Sequence, residues 1–102
     1  MEIHITNLHN IGGAATQAMD GVVQVAKELG FMELGIARRN FDVDYWNMIS
    51  HHQDGSISSI YYGDIVFFQY PTWNGTDYDK NFVDKVRMYK DVKLVIFVHD
   101  IQ

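Results

Sequence analysis

Two hydrophobic rhythms take turns along this chain, one with the two-residue period of a strand and one with the 3.6-residue period of a helix. Glu2 to Thr6 alternates, with Ile3 and Ile5 opposing His4 and Thr6, and Asn7 to Gly13 is turn chemistry built on two asparagines and paired glycines. From Ala14, the residues Ala15, Ala18, Met19, Val22, Val23, Ala26 and Leu29 follow helical spacing, and Gly30 stands where a C-cap belongs. Gly21 falls inside this helix, where it costs about 1 kcal/mol relative to alanine, so close packing against a strand is expected there.

Phe31 to Ala37 reads as a second strand ending in the polar Arg38, Arg39 and Asn40. Between Phe41 and Ile60 the pattern is weaker. Tyr45, Trp46 and Ile49 have helical spacing, and a short helix is expected to run through Ile57 and Ile60 to Tyr61. Ile65 to Tyr70, IVFFQY, is too apolar to be half exposed and suits a central parallel strand, stopped by Pro71. Asp77 or Thr76 is the candidate N-cap of a third helix whose stripe is Tyr78, Phe82, Val86 and Tyr89. Val92 to Val98 is the fourth strand, and His99-Asp100 follows it.

The order β-α-β-α-β-α-β, with long crossovers, predicts an α/β fold: a Rossmann-like three-layer sandwich around a four-stranded parallel sheet. Right-handed crossovers make 3-2-1-4 the expected strand order. Ligands of such sheets sit outside the carboxyl ends of the strands, so the four exits are the places to look. They are Asn7 to Gly13 with the helix bearing Thr16, then Arg38-Arg39, then Gln69 to Asn74, then His99-Asp100.

Composition narrows the partners. In 102 residues there is room for one domain, 1–102, and with 47% hydrophobic and 14% aromatic residues it can bury a core. Eight basic against 13 acidic residues leave a net charge of -5, which argues against nucleic acid or an anionic membrane surface as a non-specific partner. The absence of cysteine removes disulfides and thiolate metal sites and fits a cytoplasmic setting. No apolar run approaches the roughly 18 residues of a membrane span, and the chain opens directly into a strand, so neither a span nor a signal peptide is expected.

The exits carry the candidate chemistry. Gly12-Gly13 serves either a tight turn alone or the close approach of a ligand to a helix N-terminus. The turn is not GxGxxG, and strand two ends in arginines where a ribose-binding acid would stand, so a dinucleotide site is disfavoured. No GxxxxGK[ST] is present, which removes the P-loop. Thr16 is either an early-helix hydroxyl or a hydrogen-bond partner for a phosphate or sugar. His51-His52 lacks a third ligand, and neighbouring side chains point apart, so no metal is expected. Trp73, beside Pro71 and Asn74, is the candidate platform for a sugar ring, with Asn7 a polar partner at the first exit. His99 with Asp100 is the candidate catalytic pair: an imidazole as base or hydroxyl partner, a carboxylate as acceptor.

Several separate blocks, HITNL, the glycine turn leading to Thr16, YGDIVFFQYPTWN, FVDKVR and VIFVHD, stand in an order that resembles the bacterial glucosyltransferase 3 or nucleotide sugar synthetase-like family across nearly the whole chain. The resemblance implies the acceptor-side Rossmann-like domain of a GT-B glycosyltransferase. It implies transfer of glucose from UDP-glucose to N-acetylglucosamine on serine-rich repeat adhesins, no cofactor or required metal, and a homo-oligomer. It also implies that Thr16 reaches across to the UDP, with Gly12-Gly13 beside it, and that His99-Asp100 faces the acceptor. The family's nucleotide-gripping arginine, tyrosine and lysine positions have no counterpart in these residues, so the polypeptide is expected to be an N-terminal part, inactive alone. The alternative is a stand-alone flavodoxin-like module that binds a nucleotide or a protein partner.

Overall fold

A computed structural model describes residues 1–9, 13–37 and 46–99. The described residues form β1 (Ile3–His9), α1 (Gly13–Glu28), β2 (Met32–Ala37), α2 (Trp46–Ser56), β3 (Ile65–Tyr70), α3 (Thr76–Arg87) and β4 (Lys93–Val98). All ladders of the sheet are parallel. The expected alternation of strands and helices, and the α/β class, hold.

Helix ends follow local chemistry, with two departures. Gly30 has φ 90°, and the amides of Gly30 and Phe31 donate to the carbonyls of Lys27 and Ala26 at 3.0 Å each. That is the double bond of a Schellman stop, which needs a residue at ease with positive φ. At α3 the expected side-chain cap is not used. Gly75 (φ 101°) occupies the N-cap without a side-chain bond, and Thr76 is already helical. The end is stabilised through Asp77 and Asp79 in the first turn, and the other end through Lys85 and Arg87 in the last, each sign matching the helix dipole. The helix expected to run on to Tyr61 stops at Ser56. Turn bonds follow, from the Ile57 amide to the Gln53 carbonyl and from the Ile60 amide to the Ile57 carbonyl, both at 3.1 Å.

The strand order is β2-β1-β3-β4, not 3-2-1-4. Burial explains the correction. β1 and β3 are the most enclosed strands, while β2 and β4 are exposed along much of their length. The apolar run IVFFQY gains most by lying inside the sheet, and an order ending in β3 would leave it at an edge. Right-handed crossovers then place α1 on one face and α2 and α3 on the other.

The main core lies under α2 and α3. Leu8, Leu34, Ile36, Val66 and Phe68 from the strands meet Ile49, Ile57, Ile60, Tyr78, Phe82 and Val86, and Met19 joins from α1. Phe68 and Phe82 stack with ring centroids 4.8 Å apart. The α1 face is less completely covered. A groove of about 630 Å³ runs there between α1 and the sheet, lined by Val22, Val25, Ile5, Phe67 and Phe97 among others. Gly21 borders this groove, and a Cβ built on it would meet nothing within 4 Å. The expected close packing at Gly21 is therefore absent, because the helix passes the open part of the sheet face.

The amino ends of the central strands are tied by one carboxylate. Asp64 accepts from the amides of Glu2 and Tyr61 at 2.9 Å each and from His4 Nε2–H at 2.8 Å. Those donors, the Glu2 amide foremost and then His4, hold its carboxyl down at about 2. This clamp lies opposite the exits and fixes β1 against β3, leaving their carboxyl ends to diverge.

Candidate active site at the carboxyl edge

The divergence is visible in the ladder. β1 pairs with β2 from His4 through His9, but with β3 only from Ile3 through Ile5, opposite Ile65 to Phe67. Beyond that point side chains replace the ladder. The Gln69 amide donates to Thr6 Oγ1 at 2.8 Å, and Gln69 Nε2 donates to the Thr6 carbonyl at 2.7 Å, both fully buried. Strand order reverses between β1 and β3, which is where the crevice of an open α/β sheet forms.

His99 is held at this crevice by two contacts. Its amide donates to the Tyr70 carbonyl at 2.9 Å, extending the β3–β4 ladder, and its Nε2 lies 2.7 Å from Gln69 Oε1. The ring also packs on Phe97, with centroids 4.9 Å apart. Partial burial pulls the imidazole below its ordinary range, favouring the neutral form near neutral pH.

By strand alternation Asn7 lies on the sheet face of Ile5, Gln69 on that of Phe67, and these are the same face, the one α1 covers. Asn7 Nδ2 donates to Glu33 on β2. That bond, more than the nearby Lys27 ammonium at 3.4 Å, draws the Glu33 carboxyl below its usual value. Asn7 Oδ1 is buried with no partner among the described residues, a free acceptor in the crevice wall. Gly13 opens α1, so its amide belongs to the helix N-terminus. Gly12, Asp100 and the side chain of Thr16 lie outside the described residues, as do Arg38 and Arg39.

The β3 exit is a loop tied by side-chain hydrogen bonds. Asn74 Nδ2 donates to the Ala37 carbonyl at 3.1 Å, strapping the loop to the end of β2. Thr72 hydroxyl donates to Asp79, a buried carboxylate raised by desolvation. Trp73 has φ 61°, an uncommon backbone for a non-glycine residue, and its half-buried indole packs against the main core. Among the described residues no hydrogen bond or ring contact joins Trp73 to Asn7 or His99. His51 is exposed, while His52 turns toward Tyr78 with ring centroids 6.1 Å apart, and among the described residues no cluster of three metal-ligating side chains forms.

Three residues that bind this edge together, Thr6, Gln69 and Asp79, are not among the candidate site residues that the sequence suggests, although Gln69 begins the third exit. A signal was present for one of them. Gln69 is the single polar residue in IVFFQY apart from the terminal tyrosine, and a polar side chain in a doubly buried strand needs a partner.

Residues 2–102 match the family described as "Glucosyltransferase 3-like, N-terminal domain". The chain belongs to the glucosyltransferase 3-like family. Similar proteins include Glucosyltransferase 3 of Streptococcus gordonii, 38% identical over 103 residues, and Glucosyltransferase 3 of Streptococcus parasanguinis, 37% identical over 103 residues. Each alignment covers 99% of this chain, but the chain spans only 30% and 31% of those two proteins. Along one sheet edge this domain carries the N-terminus of α1, the Asn7 side-chain oxygen and the His99 imidazole.

Proposed function

We propose that this polypeptide is the acceptor-side domain of a GT-B glucosyltransferase that moves glucose from UDP-glucose to N-acetylglucosamine on a serine-rich repeat glycoprotein in the cytoplasm. The observation that carries the reading is the bonded row Thr6–Gln69–His99 at the point where strand order reverses, in a chain of this family. In the reaction, an acceptor hydroxyl oxygen bonds to the anomeric carbon of glucose while the bond from that carbon to UDP breaks, and UDP leaves with the electron pair. The hydroxyl proton passes to a base. His99 is suited to receive it, being half-buried and drawn toward its neutral form. Asp100 and Trp73 are the further acceptor-side candidates, and Thr16 with Gly12 and Gly13 reaches toward the UDP. No metal or other cofactor enters this scheme.

In this scheme the donor is held chiefly by chain beyond these residues, so the polypeptide alone has little transferase activity. Titration calorimetry with three ligands tests the reading: a peptide bearing N-acetylglucosamine, UDP-glucose, and FMN. Measurable glycopeptide binding with much weaker UDP-glucose binding is expected. A second reading, a stand-alone flavodoxin-like binding module, is favoured by one observation, since 2-1-3-4 is the opening of the flavodoxin-like strand order. Tight FMN binding would select it.

A further inference from the structure

The row that ends at His99 has only one consistent arrangement of hydrogens. The Thr6 carbonyl oxygen can only accept, so the Gln69 atom 2.7 Å from it is the amide nitrogen. The side chain of Gln69 therefore turns its oxygen to His99. That oxygen also only accepts, so His99 Nε2, at 2.7 Å, must carry the proton. Gln69 cannot swing away, because it is fully buried and its side-chain nitrogen is bonded to the Thr6 carbonyl. A neutral imidazole with its proton on Nε2 has a lone pair on Nδ1, and among the described residues nothing bonds that atom.

We propose that Gln69 is a positioning residue that fixes the His99 imidazole as its Nε2–H tautomer and reserves Nδ1 as the hydrogen-bond acceptor for a sugar hydroxyl. The assignment of Nδ1 rests on the acceptor-side reading above; the tautomer does not. The arrangement resembles the way a buried carboxylate or carbonyl sets the tautomer of a histidine in many sites, but here a neutral amide does so. A carboxylate in the place of Gln69 would stabilise imidazolium. An amide orients the ring without adding charge, leaving a neutral acceptor.

Long-range proton–nitrogen correlation spectra of the imidazole, recorded on the 15N-labelled chain above the titration of His99, read the tautomer directly. The expected wild-type pattern is Nε2–H alone, with an Hε2 signal protected from solvent exchange. Gln69→Leu should lose that protection and populate both tautomers, while Thr6→Val, which keeps the Thr6 carbonyl, should retain the wild-type pattern. The wild-type spectrum decides even if Gln69→Leu fails to fold. An Nδ1–H pattern, or an unprotected Hε2, overturns the inference. Adding N-acetylglucosamine should then move the Nδ1 resonance more than Nε2. An intact Nε2–H pattern that saturating sugar leaves unmoved would overturn the assigned role of Nδ1 and the acceptor-side reading with it, while the tautomer assignment stands.

Discussion

Gln69 donates two buried hydrogen bonds to Thr6, at 2.8 and 2.7 Å, just past the last ladder pair of β1 and β3. They pair the Gln69 backbone N–H and the Thr6 carbonyl where the two central strands part. Removing the Gln69 amide strands the Thr6 carbonyl, and an unsatisfied buried acceptor costs about 1–3 kcal/mol. Gln69→Leu should lower the unfolding free energy by about that amount in urea denaturation at unchanged m-value. A loss below about 0.5 kcal/mol would show that the row is not a structural tie.

Asp64 predicts an acid limit to stability. Its ordinary value of 3.8 is depressed to about 2 in the fold, so the carboxylate is favoured by folding. Its contribution is present in full above about pH 4 and is lost as pH falls toward 2. In thermal melts from pH 6 to pH 2 (about two units on either side of the carboxylate range), Asp64→Asn should begin less stable and show a shallower decline below pH 4 than the wild type. Parallel declines would assign the acid sensitivity elsewhere.

Gly21 offers a test in the opposite direction. A Cβ there meets nothing within 4 Å, and the residue lies mid-helix in α1. Gly21→Ala should therefore stabilise the domain by about 0.5–1 kcal/mol, the helix-propensity difference, measured by chemical denaturation. Destabilisation would mean that another surface normally approaches this helix.

Val95 and Phe97 stay 41% and 42% exposed on edge strand β4, next to the groove beside α1. Exposed apolar residues on a sheet edge favour pairing with a second surface. Sedimentation should show concentration-dependent self-association that weakens in Val95→Lys with Phe97→Ser. A monomer at high concentration in the unaltered chain would contradict this.

How much of this could be read in advance varied with the kind of signal. The strands at Ile65 to Tyr70 and Lys93 to Val98 were legible as short apolar runs, and the stripe Tyr78, Phe82, Val86 because burial of one helix face imposes its period on the sequence. Gly30 was legible too, since only a residue tolerant of positive φ closes α1 that way. The strand order was harder. It depends on which strands win the centre, and the apolar weight of IVFFQY spoke for β3 while the assumed 3-2-1-4 order ignored it. Glycine at the N-cap of α3 could not be weighed against Thr76 and Asp77 without backbone angles. At the candidate site, His99 and Asn7 stood out as polar residues at strand exits, whereas Gln69 signalled only that it needs a partner, and no local pattern says that the partner is Thr6, 63 positions away.

The central claim, that the crevice between β1 and β3 receives the acceptor sugar, is tested most directly by mapping where that sugar binds. Amide and imidazole chemical shifts of the 15N-labelled chain would be followed while a peptide bearing N-acetylglucosamine is titrated in. The account predicts saturable shifts confined to Asn7, Gln69, His99 and the first turn of α1. Shifts clustered in the groove of Val22, Val25 and Phe67, or none at saturating peptide, would contradict it.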